Sequence, residues 1–295
     1  MRPLFLRAFL PLAALSSFSL ALPSTAQEKT AASETQPHIL TVGGRDLKVP
    51  NPAGYVRCDG INTTWDQAIR SILPASNRML ATFGTTEDQG KIRDGEPTNY
   101  ERNFNIQSVR SIENREIGER TFAGMRGEVQ KEIMAMRSKL DAEMKRLADQ
   151  GNKQMSKDFG VDVALSISDT AVLGFFEETD TSIGFTMVMN VGVGTGNERE
   201  VSKGIVACLM VPVNGRVVNL YSSDSYQGPE DQKEVESTVK SWRDAILAVN
   251  PRVQGPAAGF DFEKLGTFIG IGVGAGLGYA LVLWLVKKLR PSKTA

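Results

Sequence analysis

Residues 205–220 read IVACLMVPVNGRVVNL, two apolar runs separated by Asn214-Gly215. Every position from Ile205 to Val211 is apolar, so a strand there must bury both of its faces. Asn-Gly suits a type I′ turn, in which both central residues take positive φ, and the pair therefore predicts a tight hairpin. A strand buried on both faces needs a covering layer on each side, and two helices with an apolar stripe are available. Between Pro229 and Val249, Val235, Val239, Trp242, Ile246 and Val249 recur at intervals of four and three. Between Thr121 and Asp149, Met125, Val129, Ile133, Met136, Leu140, Met144 and Leu147 do the same, which is the helical period.

Further strands are expected around this hairpin. HILTV and RDLKVP flank Gly43-Gly44 as a second, short hairpin, and GYVRC, NRMLATFG, AVLGFFEE and SIGFTMVMNVGV have strand character. RNFNIQSVRSI reads as a half-exposed strand. Thr64 and Gln67 have capping-box spacing and open a short helix that stops before Pro74, and the thirteen residues EDQGKIRDGEPTN (87–99) read as a polar loop. The expected fold is α+β: an antiparallel meander sheet flanked by helices, occupying residues 38–250.

Both ends of the chain differ from this body. Residues 1–26 have the plan of a signal peptide: Arg2 and Arg7, then the apolar AFLPLAALSSFSLAL, then Ser24-Thr25-Ala26 before Gln27. Residues 27–37 are a polar leader, and residues 251–264 a Pro/Gly/Ala linker. Residues 265–286 contain no charge over 22 positions, and at helical rise they span about 33 Å, enough for a bilayer core. Lys287, Lys288 and Arg290 follow in a nine-residue tail, 287–295, which the positive-inside tendency places in the cytoplasm. The expectation is a single transmembrane helix with the domain outside the cytoplasm, most simply a bacterial inner membrane with a periplasmic domain.

Glycine punctuates that helix. Gly266, Gly270, Gly274 and Gly278 are four apart, and Gly272, Gly276 and Ala280 form a second stripe. A dinucleotide fingerprint would need glycine at 275, 277 or 279, where Ala275, Leu277 and Tyr279 stand. GVGTG at 192–196 fails likewise at Asn197. Small residues every four positions instead let helix backbones approach closely in lipid, so self-association or pairing with another transmembrane helix is expected.

The charge balance bears on partners. The chain is formally neutral, but Arg2, Arg7, Lys287, Lys288, Arg290 and Lys293 all lie in the end segments, leaving the middle six charges negative. Such a domain has no electrostatic footprint for nucleic acid. Membrane lipid and an extracytoplasmic protein or small ligand remain as partners.

Catalytic constellations are sparse. One histidine, His38, sits beside the leader, which leaves little for a Ser-His or Cys-His mechanism and rules out a multi-histidine metal site. Methionines at 125, 134, 136, 144 and 155 suit core packing better than copper. FFEETD places Glu177 and Glu178 beside two phenylalanines, where a raised carboxyl pKa would serve carboxylate catalysis. Cys58 and Cys208 either form one bridge or remain two buried thiols. Asn62-Thr63-Thr64 is a glycosylation sequon overlapping a helix start. No pattern for a cofactor is present. The expected function is a non-enzymatic, membrane-anchored binding or interaction module. The alternatives are an exported hydrolase using Glu177 and Glu178, and a ligand sensor acting through a partner helix.

Overall fold

A computed structural model describes residues 36–96, 98, 102–136, 140–159, 163–195 and 198–255. The signal-peptide stretch 1–26, the leader up to residue 35, the linker beyond 255, the apolar segment 265–286 and the tail 287–295 lie outside the described residues. In chain order the elements are β1 (His38–Val42), β2 (Arg45–Val49), β3 (Val56–Arg57), α1 (Thr63–Ile72), β4 (Asn77–Gly84), α2 (Thr86–Arg93), β5 (Asn103–Val109), α3 (Glu119–Met136) and α4 (Leu140–Phe159). There follow β6 (Val163–Thr179), β7 (Ser182–Thr195), β8 (Glu198–Val213), β9 (Arg216–Ser225) and α5 (Pro229–Val249).

Seven strands form one sheet in the order β3-β4-β5-β9-β8-β7-β6, and β1 and β2 pair separately. Every neighbouring pair is antiparallel. The sheet is thus two meanders, β3–β5 and β6–β9, joined where β5 pairs with β9, and helices flank it as the sequence predicts. Strand β8 alternates as a doubly buried strand must. Val206, Cys208 and Met210 enter one core with residues of α1, α3 and α4. Ile205, Ala207, Leu209, Val211 and Val213 enter the other, with α5 and the β1–β2 hairpin. Asn214 and Gly215 take φ of 48° and 73°, the positive pair that a type I′ turn requires.

Several expectations change in detail. The methionine stripe is helical over Glu119–Met136 (α3) and Leu140–Phe159 (α4), so helix extends ten residues beyond the expected end at Asp149. Met125, Met144 and Met155 are fully buried, whereas Met134 is 49% exposed. Val249, the last residue of the α5 stripe, is exposed, so only Val235, Val239, Trp242 and Ile246 anchor that helix. Residues 87–93 of the stretch expected as a polar loop fold as part of α2. Thr85 caps it by accepting the Asp88 N–H at 3.1 Å, while Asp88 accepts the Thr85 N–H at 3.0 Å. Helix α1 is capped by Asn62, whose side chain accepts the Trp65 N–H at 3.1 Å. The Asn62 amide nitrogen donates to Ile92 O, which ties α1 to α2 and occupies the atom a glycan would need. His38 is fixed on β1, its Nε2 lying 2.8 Å from Asn51 Oδ1.

The sheet edges are blunted. β3 is two residues long, and β6 shifts register against β7 three times, which bends an edge away from further pairing.

Residues 251–255 are docked rather than loose. The first N–H groups of α3 lack helical partners, and Glu119 and Arg120 donate them to Val253 O and Gln254 O at 2.8 and 2.9 Å. A Cβ added at Gly118 would lie 2.2 Å from Val253 O, so only glycine admits this strap. Next to it, Arg216 is buried and donates to the carbonyls of Val42, Gly43, Arg115 and Gly215, clasping the β1–β2 turn to the β8–β9 turn.

Candidate functional site

The acidic pair of the β6–β7 turn is split by the strand alternation itself, which sends neighbouring side chains to opposite faces. Glu177 turns toward α5, where Arg243 holds it in an ion pair and the Ser182 hydroxyl donates to it. Arg243 also donates to Ser182 Oγ at 2.9 Å. Glu178 turns toward α3, where Gln130 donates to it, and Arg126 of the same helix pairs with Asp180 at 3.0 Å. Burial pulls the Glu177 carboxyl up, but the hydrogen bonds from Arg243 and Ser182 outweigh it and leave the pKa below the usual value. The expected raised carboxyl is therefore absent from Glu177, and the two glutamates share no substrate position. Glu177 serves as a structural clamp between the sheet and α5.

The two cysteines stand as buried thiols, not a bridge. Cys58 continues β3, its N–H donating to Thr82 O at 2.8 Å, and Cys208 lies on β8. Three strands separate them, and four strand spacings amount to about 19 Å, while a disulfide needs Cα atoms within about 7 Å. Burial pushes the Cys208 thiol up to about 12, although its hydrogen bond with Tyr221 pulls the other way. A thiol held so far from ionisation is no nucleophile.

The unexpected feature lies on β5. Asn103, Asn105 and Gln107 are completely buried, on the face opposite Phe104 and Ile106. Across the registers they meet Thr82 of β4 and Asn219, Tyr221 and Ser223 of β9. Part of this polar stripe satisfies itself: Asn77 Nδ2 donates to Gln107 Oε1 at 3.1 Å, and Gln107 Nε2 donates to Asn105 Oδ1 at 2.7 Å. Thr82 Oγ1, Asn105 Nδ2, Asn219 Oδ1 and Ser223 Oγ are buried and have no hydrogen-bond partner among the described residues. Such atoms are few in folded proteins.

Thr82 connects that stripe to a cavity of about 230 Å³ between α1 and the β3–β4 pair. Ile69 and Met79 form its apolar wall, and Arg57, Asp59, Asp66 and Arg70 its charged part. Arg57 donates Nε to both Asp59 oxygens at 3.0 Å and Nη2 to one of them at 2.6 Å. Asp59 also accepts the Thr82 N–H at 2.9 Å, so this pair is saturated. Asp66 accepts the Gly60 N–H at 2.9 Å. Burial raises its pKa, the Gly60 bond works against that, and the nearby Asp59 adds to the rise. Arg70 is exposed, one helical turn after Asp66. A shallower polar groove of about 560 Å³ between α1 and α4 shares Arg70.

None of these residues stood out in the sequence. Asp59 and Asp66 lie among ordinary loop and helix polar residues, and the β5 amides looked like solvent-facing positions. The glycines 266, 270, 272, 274, 276 and 278 and Ala280 lie outside the described residues. Among the described residues no cluster of three metal-ligating side chains occurs, and no helix is long and apolar enough to cross a membrane. The chain matches no protein-family model and no curated protein.

Proposed function

We propose that the chain is a membrane-anchored, non-enzymatic binding module. In this reading residues 1–26 direct export, the α+β domain works outside the cytoplasm, most simply in a bacterial periplasm, and residues 265–286 anchor it in the inner membrane. The glycine-striped helix assembles with a second copy or with another membrane helix. The observation that carries the reading is the uncharged 22-residue segment with glycine at 266, 270, 274 and 278, ahead of Lys287 and Lys288. The domain adds support: its most prominent acidic pair is divided between two faces and engaged in packing, while its unsatisfied polar atoms collect beside a cavity.

The test is crosslinking of the full-length protein in native membranes. Gly270→Leu with Gly274→Leu should abolish the crosslinked species seen for the wild-type protein while the protein stays in the membrane fraction. Unchanged crosslinking refutes assembly through this stripe, and recovery of the wild-type chain in the soluble fraction refutes the anchor.

A further inference from the structure

We propose that the corner of the domain from which residues 251–255 leave is a membrane-docking surface, whose arginines rest on the anionic phosphate headgroups of the bilayer that holds residues 265–286. This rests on the anchor reading above and states which way the anchored domain faces. Between the end segments the chain carries six more negative charges than positive ones, yet this corner is positive. Four segments build it: the β1–β2 turn, the loop from Arg110 to Gly118, the β8–β9 turn and the strap. A Cβ on Gly43 would strike Glu113 O, one on Gly118 would strike Val253 O, and one on Gly215 would touch Glu116 and Val253, so the four are packed against one another.

The carboxylates of the corner are engaged. Glu113 accepts from Arg78 Nε at 2.8 Å and from the Ser108 hydroxyl, and Glu116 pairs with Arg45. Glu119 accepts from Gln254 Nε2 and Asp46 from the Thr41 hydroxyl, both at 2.8 Å. Arg110, Arg115, Arg120 and Arg252 are exposed. Arg110 gives its Nε to a carbonyl, Asn77 O, at 3.1 Å, and Arg252 stands 3.7 Å from Glu119 with 71% of its side chain exposed. Arg216 adds a buried charge whose partners are carbonyls. With Arg45 and Arg78, seven arginines stand against four carboxylates. The acidic β6–β7 turn lies at the same end of the sheet, but β7 and β8 separate it from this corner, and its Asp180 is paired with Arg126. Attraction at the arginines and repulsion at Glu178 tilt the domain so that the strap corner meets the headgroups first.

Chain length brings the two surfaces together. Ten residues lead from Gly255 to Leu265, and a flexible segment of that length averages about 17 Å from end to end. The anchor therefore keeps the corner within about two Debye lengths of the headgroups at physiological salt. Tethering makes the docking intramolecular, so an attraction too weak to hold a free protein suffices. Each arginine near an anionic surface strengthens adsorption about fivefold.

The test uses the full-length protein in liposomes carrying an acceptor dye on their lipid. Cys58 and Cys208 are buried, so one added cysteine takes the donor dye, at Asn114→Cys in the corner or at Gln227→Cys where β9 runs into α5 at the opposite end. With about 30% phosphatidylglycerol in phosphatidylcholine, energy transfer from position 114 should exceed that from 227, and it should fall in pure phosphatidylcholine or in 0.5 M salt. Arg110→Gln, Arg115→Gln and Arg120→Gln together should shift the docking equilibrium about a hundredfold toward the undocked state. Lysine at the same three positions should restore docking, which a purely structural role for the arginines would not allow. Transfer from 114 that ignores lipid charge, or transfer that is stronger from 227, overturns the docking surface while the anchor stands. Carbonate extraction separates the other case: a chain that carbonate strips from anionic liposomes refutes the anchor and keeps the arginine surface, and a chain that binds neither lipid refutes both.

Discussion

Trp242 is the residue on which the α5 layer turns, and its replacement should be costly. Its side chain is 2% exposed, its ring stands edge-on to Phe83 of β4 at 5.2 Å and to Phe104 of β5 at 5.7 Å, and its indole N–H donates to Pro50 O at 2.9 Å. One side chain therefore joins α5, two strands and the exit of the β1–β2 hairpin. Trp242→Phe keeps an aromatic ring but loses the hydrogen bond and part of the volume, for a loss of about 1.5–2 kcal/mol. Trp242→Ala also removes both aromatic contacts and opens a cavity, for a loss of about 4–5 kcal/mol. In a domain of this size the alanine variant should lower the thermal midpoint by about 10–15 °C. Urea unfolding followed by far-UV circular dichroism, which does not depend on the deleted fluorophore, measures both. A loss below about 1 kcal/mol for Trp242→Ala, or equal losses for the two variants, would refute the packing argument.

Three further outcomes are expected. Denatured, unreduced protein from an oxidising compartment should take two alkyl groups, at Cys58 and Cys208, and an intact mass showing neither thiol alkylated would contradict the strand order that separates them. Glu177 has a folded-state pKa below its unfolded value of about 4.3, so its contribution is present above that value and lost as pH falls through the folded one. Glu177→Gln should accordingly cost about 2–3 kcal/mol at pH 7, less than a fully buried pair because Asp244 still engages Arg243, and the gap to wild type should shrink below about pH 4 in acid titrations of stability. A gap that is flat with pH would place the effect elsewhere. Gly118→Ala should displace the strap at 253–255, and limited proteolysis should then cut next to Arg252 faster than in wild type; equal rates would refute the docking.

The sheet and its covers were legible because apolar periodicity reports burial directly. The seven apolar residues from Ile205 to Val211 demanded two covers, and the stripes at 125–147 and 235–246 supplied them. β5 was legible as a strand but not as a buried one, since Asn103, Asn105 and Gln107 look solvent-facing until their burial is seen, with Gln107 donating to Asn105. The helix at Thr86–Arg93 was hidden by Gly90 and a nearly uniform polarity, although Thr85 and Asp88 already had capping-box spacing. The cavity draws on Arg57, Asp66 and Thr82, which only the β3–β4 pairing and the placement of α1 bring together; no sequence period links them. Glu177 and Glu178 were conspicuous as neighbours in the chain, and being neighbours on a strand is what parts them.

The strap at 253–255 has a mechanical consequence. Because Val253 and Gln254 are bonded to the first turn of α3, the anchor proposed above at residues 265–286 would be joined to the domain by the stretch from Gly255 to Leu265, about 35 Å at full extension. With the apolar segment embedded in a bilayer, tension on the tail would arrive first at Glu119 and Arg120 and at the neighbouring Arg216 clasp. A tug on the membrane end would load the seam where hairpin, helix and central strands meet, so the body would be steered as one piece rather than swing from a slack tether.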